Sequence, residues 1–314
     1  MKVLHVDENH PVLVTGLERL GYENIMAYKT PLDTLWTELP QYDGMIIRSR
    51  FPIDKNFIDQ ASGLKFIGRV GAGMENIDIS YAKQKGIALF AAPEGNRNAV
   101  GEHTLGMLLT LLNKLRLGHA SIQSGEWLRE AHRGWELKGQ TLGIIGYGYM
   151  GKHFAEKLQG LGVRVLCTDR KPNVGNSHAT QVPLKQLQQE ASILSLHTDQ
   201  NPTTQPLIDG AFIAAMKQPF WLINTARGSA VDSDALVAGL QTGKILGAGL
   251  DVLEYESTSF QSIFNKAQLP RALSYLLQAD NVLLSPHVGG WTMESHKRLA
   301  TTLVAKIKHQ FHTP

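Results

Sequence analysis

The sequence predicts an α/β chain made of two doubly wound parallel-sheet domains. Three observations carry that prediction. Short apolar runs alternate with helical stretches along nearly the whole chain. The 314 residues are long for one domain and suit two. One apolar run, at 141–145, breaks into glycines at the spacing G-x-G-x-x-G.

Taken in order, residues 2–7 read as a strand and 11–20 as a helix closed by Gly21. Further strands follow at 42–48, ending on Ser49 and Arg50, at 64–70, and at 87–90 after Gly86. Roughly the first 95 residues therefore form one small parallel unit. The turn Gly71-Ala-Gly73 closes a strand and opens a helix. Its N–H groups either hold an anion or serve the turn alone. Residues 98–117 read as a long helix joining the domains, because Ala99, Val100, Leu105, Met107, Leu108, Leu111, Leu112 and Leu115 recur at three and four. The stretch 118–138 is less regular. Trp127 and Trp135 sit there among charges, which suits either a surface covered by a partner chain or an ordinary loop.

The glycine run is Thr141-Leu-Gly-Ile-Ile-Gly-Tyr-Gly-Tyr-Met-Gly151, followed by helical periodicity over 152–159. Gly146 would permit a tight turn, Gly148 the close approach of a pyrophosphate, and Gly151 the packing of helix on strand. The helix start then faces the phosphates with unpaired N–H groups. A second apolar run, 163–169, ends on Asp169, 18 residues after Gly151 (169 − 151), where a ribose-binding carboxylate belongs. Together these elements predict a dinucleotide site. Four later strands, at 193–198, 221–225, 245–251 and 282–286, deliver Thr198, Arg227, Asp251 and His287 to one sheet edge. Ligands of open α/β sheets lie beyond that edge. An extra helix is expected at 269–278, its Leu273, Leu276 and Leu277 needing a permanent cover. A closing helix is expected over 292–311.

Composition narrows the function. Hydrophobic residues make up 43% and charged residues 19%, enough for ample cores. The formal charge of +3 comes without a dense Lys/Arg block, so no nucleic-acid footprint is present. The single cysteine, Cys167, rules out an internal disulfide and reads as a buried, inert thiol in a reducing compartment. Acids interrupt the N-terminus before a signal peptide could form, and no window has the length of a membrane span. The expectation is a cytoplasmic protein with neither a metal site nor a membrane partner.

Several stretches together resemble the D-isomer-specific 2-hydroxyacid dehydrogenase family. They are 69–78, 93–104, the glycine fingerprint, Asn224-Thr-Ala-Arg-Gly228, 250–256 and Ser285-Pro-His-Val-Gly-Gly290, and the resemblance spans nearly the whole chain. It implies a Rossmann dinucleotide domain, 98–287, inserted into a flavodoxin-like substrate domain, 1–97 and 288–314. It implies an NAD-dependent enzyme, a homodimer through 98–138, in which Arg227 binds the carboxylate and carbonyl oxygen of a 2-oxo acid. His287 is then the acid–base group, and Glu256 orients it and raises its pKa, although Glu254 stands two residues away. Tyr149 and Met150 would present N–H groups to the pyrophosphate. Asp169 would take the ribose hydroxyls, favouring NAD over NADP, with Arg170 beside it as a cation able to accept a 2′-phosphate. Thr198, Thr225, Ala226, Asp251, Gly289 and Gly290 would line the cofactor. Val70, Gly71, Ala72 and Gly73 would hold the substrate carboxylate.

Arg50, Arg69 and Arg129, the last from the neighbouring subunit, would surround a substrate phosphate, making 3-phosphoglycerate the expected substrate in serine biosynthesis. Glyoxylate, hydroxypyruvate and D-lactate remain as alternatives. So does a non-enzymatic, NAD(H)-sensing corepressor-like protein. Two departures from the family pattern stand out: Ser257 replaces the usual proline, and the 31 residues from Glu256 to His287 (287 − 256) exceed the norm. The added segment reads as a lid or, preferably, a brace. No regulatory domain is expected beyond residue 314.

Overall fold

The computed structural model describes residues 1–256 and 268–312. The chain divides into two compact units, one of 1–97 with 291–312, the other of 98–256 with 268–290.

The first unit is a five-stranded parallel sheet. Its strands are β1 (Lys2–His5), β2 (Glu23–Met26), β3 (Gly44–Ile47), β4 (Phe66–Arg69) and β5 (Ala88–Ala91). Their order is β2-β1-β3-β4-β5, which reverses direction between β1 and β3. Alternation along the strands supplies both cores. Val3, Ile46 and Phe66 pack under Leu299, Leu303 and Ile307 of the closing helix Met293–His312, whereas Leu4, Met45 and Ile67 face Phe57 and Ile58 on the other side. The edge strand β2 has the sequence ENIM with no buried residue, so no apolar alternation marked it.

The second unit is a seven-stranded parallel sheet. It comprises β6 (Thr141–Ile145), β7 (Arg164–Thr168), β8 (Thr180–Gln181), β9 (Ile193–Leu196), β10 (Phe220–Asn224), β11 (Ile245–Leu250) and β12 (Val282–Leu284). Their order is β12-β11-β10-β9-β6-β7-β8, reversing at β6/β9. Leu166, Leu194, Leu222 and Leu250 fill one face, and Leu142, Ile144, Cys167 and Ile223 the other. Burial pushes the Cys167 thiol up to about 11, so it stays protonated and inert.

The joining helix departs from expectation. It runs Pro93–Leu112, and a second helix, Leu115–Gln123, occupies part of the stretch expected to be irregular. Lys114 between them adopts a left-handed conformation, φ 50°. A lysine carries no turn signal of the kind glycine or proline gives, so the break was invisible. The added helix is Arg271–Gln278 and behaves as a brace: Ala272, Leu273 and Leu276 are buried, but Leu277 faces outward at 41% exposure. Ser257 lies outside the described residues. No helix among the described residues is long and apolar enough to cross a membrane.

Candidate active site

The glycine turn between β6 and the helix Tyr149–Lys157 is built by contact limits. Gly146 has φ +90°, and a Cβ there would lie 2.5 Å from the His197 carbonyl oxygen. A Cβ on Gly151 would lie 2.3 Å from the Gly146 oxygen. At Gly148 a Cβ would meet nothing within 4 Å. Two glycines thus close the turn on itself, and the third leaves open space at the start of the helix Tyr149–Lys157, the end at which a helix directs its first-turn N–H groups. Beyond β7, Asp169 is fixed by two backbone donors, Tyr147 N–H at 2.7 Å and Lys171 N–H at 2.8 Å. Arg170 pairs with Asp199 at 3.2 Å, an exposed contact of little energetic weight.

Past β9, the Thr198 hydroxyl is shielded from solvent and has no hydrogen-bond partner among the described residues. A sequestered hydroxyl of this kind needs an external partner. Its neighbour His197 is held neutral. Burial pushes the ring down to about 3, while Nε2 meets the Ser195 hydroxyl at 2.9 Å and the ring packs on Phe154. Below pH 6.5 an unfolded chain takes up a proton that this ring refuses, so stability is lost as pH falls from 6.5 toward about 3. His197→Phe is expected to flatten the acid side of the stability profile by about one proton, after an initial cost of about 1–3 kcal/mol for the stranded Ser195 hydroxyl. Chemical denaturation at several pH values checks this; an unchanged slope contradicts it.

The loop after β10 is templated by Asn224, which is buried. Its amide accepts from Ala226 N–H at 3.0 Å and donates to the Arg227 carbonyl at 2.9 Å. Thr225 meets Thr104 across the joining helix at 3.0 Å. Arg227 is half-buried, with Nη1 donating to the Ala226 carbonyl at 2.7 Å. A Cβ on Gly228 would lie 1.9 Å from the Leu253 carbonyl oxygen, so this loop packs directly on the segment that leads to Glu256.

Glu256 and His287 are brought together. His287 Nδ1 lies 2.7 Å from Glu256 Oε2, and the carboxylate's other oxygen accepts the Leu253 N–H at 2.5 Å. An ionised carboxylate only accepts, so Nδ1 carries the proton and Nε2 is the nitrogen whose protonation can change. Glu254 points elsewhere, accepting the Ser233 N–H at 3.0 Å. His287 itself sits at φ 56°, a left-handed conformation costly for a non-glycine residue.

Asp251, expected on the cofactor, instead holds the His287 turn. Its Oδ1 accepts from Ser285 Oγ at 2.6 Å and Val288 N–H at 2.9 Å, and its Oδ2 from Gly289 N–H at 2.7 Å. Burial would raise its carboxyl, but bonds from His103, Ser285, Val288 and Gly289 outweigh that and hold it below the ordinary range. Gly289 is thereby committed to Asp251 as well.

The first unit carries the remaining candidates apart from Arg129, and two expectations change there. Arg50 gives its guanidinium to the carbonyls of Val6, Ala27 and Thr30 at 3.2, 2.7 and 2.5 Å, so these donors brace the chain and not a phosphate. Arg48, unremarked in the sequence, stacks on the Trp291 ring at 4.1 Å. At 70–73, Val70 N–H completes the ladder to Ile47 and Gly71 N–H meets the Arg69 carbonyl, which narrows the anion donors to Ala72 and Gly73. The Arg69 guanidinium lies over Gly71, where a Cβ would come 1.3 Å from Nη1. Arg129 is exposed on the second unit.

A family model described as the NAD-binding domain of D-isomer specific 2-hydroxyacid dehydrogenases matches residues 105–289. The chain is 33% identical over 275 residues to hydroxypyruvate reductase of Thermotoga maritima, covering 88% of this chain and 87% of that one. The chain belongs to this family. The dehydrogenase is also 34% identical over 301 residues to D-3-phosphoglycerate dehydrogenase of Haemophilus influenzae, covering 95% and 72% of the two chains. It spans between 47% and 72% of the length of several curated phosphoglycerate dehydrogenases. Among solved structures, D-lactate dehydrogenase of Aquifex aeolicus, complexed with NAD and lactic acid, matches with a TM-score of 0.84 at 27% identity, covering 99% and 95% of the chains. NAD is the cofactor. The residues present fit it: open space over Gly148, a fixed Asp169 and an orphaned Thr198 hydroxyl all stand at the carboxyl edge of one sheet.

Proposed function

We propose that this dehydrogenase interconverts a D-2-hydroxy acid and its 2-oxo acid, with His287 as the acid–base group, Glu256 as its orienting partner and Arg227 as the carboxylate and carbonyl-oxygen ligand. The observation that carries the reading is the 2.7 Å contact between His287 Nδ1 and Glu256. In oxidation, His287 Nε2 takes the C2 hydroxyl proton as the hydride departs from C2. Bound NAD supplies the acceptor for that hydride. Arg227 offers a two-pronged donor set that keeps the forming carbonyl oxygen and the carboxylate in one plane. The N–H groups of Ala72 and Gly73 are further carboxylate donors.

The same reading extends to 3-phosphoglycerate as substrate, with Arg69, Arg48 and Arg129 as cations for a phosphate tail, in serine biosynthesis in the cytoplasm. Hydroxypyruvate, glyoxylate and D-lactate are the competing acids. A homodimer belongs to it as well, because Ile122, Trp127, Leu128 and Trp135 expose apolar surface that a second copy would cover. Steady-state kinetics with NADH on 3-phosphohydroxypyruvate, hydroxypyruvate, glyoxylate and pyruvate test the proposal. The phosphorylated acid is expected to lead, and Arg69→Ala to remove that lead by about tenfold or more, the value of one or two charge-assisted bonds. Turnover of none of the four overturns the reaction; equal turnover in Arg69→Ala overturns the phosphate assignment alone. For the cofactor, Asp169→Ala is expected to weaken NADH by about tenfold while NADPH improves or holds, since a carboxylate there repels a 2′-phosphate. An unchanged preference in fluorescence titration would remove Asp169 from the ribose site.

A further inference from the structure

The turn that carries His287 is fastened from behind by the joining helix. Asp251, almost fully buried, takes three backbone N–H groups of this turn: Val288 and Gly289 on its carboxylate, and His287 on its carbonyl at 2.7 Å. Ser285 Oγ lies 2.6 Å from the same carboxylate. Since a carboxylate only accepts, the Ser285 hydroxyl must donate to it, which leaves that oxygen as an acceptor. His103 Nε2 stands 3.0 Å from the Ser285 oxygen and 3.3 Å from Asp251 Oδ1. The direction of the whole chain is therefore set: His103 Nε2–H donates to Ser285, and Ser285 donates to Asp251. The ring also fills space. A Cβ on Gly289 would come 2.8 Å from Asp251 Oδ2 and 3.3 Å from His103 Cδ2, so carboxylate and imidazole both lie against the turn's backbone.

The next helix residue does a parallel job. Thr104 meets Thr225, two residues before Arg227, at 3.0 Å, and its hydroxyl also donates to the Val100 carbonyl. Two adjacent side chains of one helix thus reach the two loops that bear the guanidinium and the imidazole. The need for such a brace is visible in His287, whose left-handed backbone persists only where its surroundings over-determine it.

We propose that His103 is a positioning residue for the reaction, acting through Ser285 and Asp251 to fix the turn that presents His287. The inference rests on the reading of His287 as the acid–base group. The titratable groups on this path are Asp251 from the end of β11, then His287 with its partner Glu256.

The test compares His103→Ala and His103→Gln in the full-length protein. His103→Ala is expected to lower kcat by about tenfold, the scale of a slightly misplaced catalytic group, with KM for NADH changed by less than about twofold. The alkaline limb of its kcat/KM profile for 2-oxo acid reduction, the direction in which His287 gives up a proton, is expected to move away from that of the wild type. His103→Gln, whose amide N–H can reach Ser285, is expected to recover most of both effects. Equal losses in the two variants with an unmoved pH profile would reduce His103 to packing and overturn the proposal, as would wild-type kinetics in His103→Ala. His287→Asn, run alongside, separates the failures. If it still turns over, the acid–base assignment has failed. If it is inactive while His103→Ala is unaffected, only the positioning role has.

Discussion

Replacing His287 with alanine or asparagine is expected to lower turnover by about 10²–10⁴-fold, the range of a lost general acid–base group, while leaving NADH affinity near the wild-type value. Two variants are needed because the backbone at 287 is left-handed at φ 56°. Alanine pays the left-handed penalty of an L-residue without any compensating side-chain bond, whereas asparagine is among the residues that visit this region routinely. A loss shared by both variants is therefore chemical and not a collapse of the turn. The turn should survive in each, since the N–H groups of 287, 288 and 289 still reach Asp251. In the proposed reading NADH is held at the glycine turn and at Asp169, whose carboxylate accepts from Tyr147 N–H and Lys171 N–H. Fluorescence titration with NADH and single-turnover reduction of a 2-oxo acid provide the two readouts. Retention of more than about a tenth of wild-type turnover in His287→Asn would remove the imidazole from the reaction, since even the weakest general acid–base contribution exceeds that.

The sequence made the fold readable wherever burial on both faces forced continuous apolar runs, as at Leu142, Ile144, Leu194 and Leu222. The edge strands β2 and β8 escaped because they bury no side chain and leave no periodic trace. Within the site, residue types carried their own chemistry: the three glycines occupy positions where contact distances demand them or open space rewards them. Roles that depend on who reaches a partner first were less readable. Arg48 and Arg50 lie two apart at the end of β3, and nothing in their spacing says which one the carbonyls of Val6, Ala27 and Thr30 will claim. Similarly, Val70 and Gly71 looked like anion donors in a glycine turn, but the strand ladder and a local bond use their N–H groups. Asp251 read as a ligand for the cofactor. Only its burial and four partners show it to be a clamp on the loop that follows β12. His103 and Asn224 carried no signal beyond their place in motifs, because a second layer of polar contacts is defined by three-dimensional neighbours.

Arg227→Lys is expected to lower kcat/KM by about 10²–10³-fold, close to the loss in Arg227→Ala, the scale of a missing donor to a developing oxyanion. The charge is kept in the lysine variant, so the comparison isolates geometry. A guanidinium presents a planar fork that can meet a carboxylate and an adjacent carbonyl oxygen at once, and an ammonium acts as a point charge. The surrounding structure supports a demand for that geometry. Asn224 holds the 225–227 backbone through bonds to Ala226 and the Arg227 carbonyl, and Gly228 lets the loop approach the Leu253 carbonyl more closely than any Cβ permits. A loop constrained this tightly cannot shift to bring a shorter cation into place, so lysine loses reach as well as shape. The loss should be larger in kcat than in KM for the oxo acid if the fork tightens as the oxygen gains charge. Should Arg227→Lys retain near-normal kcat/KM, the residue contributes charge alone, and the planar recognition of a 2-oxo carboxylate assigned to it fails.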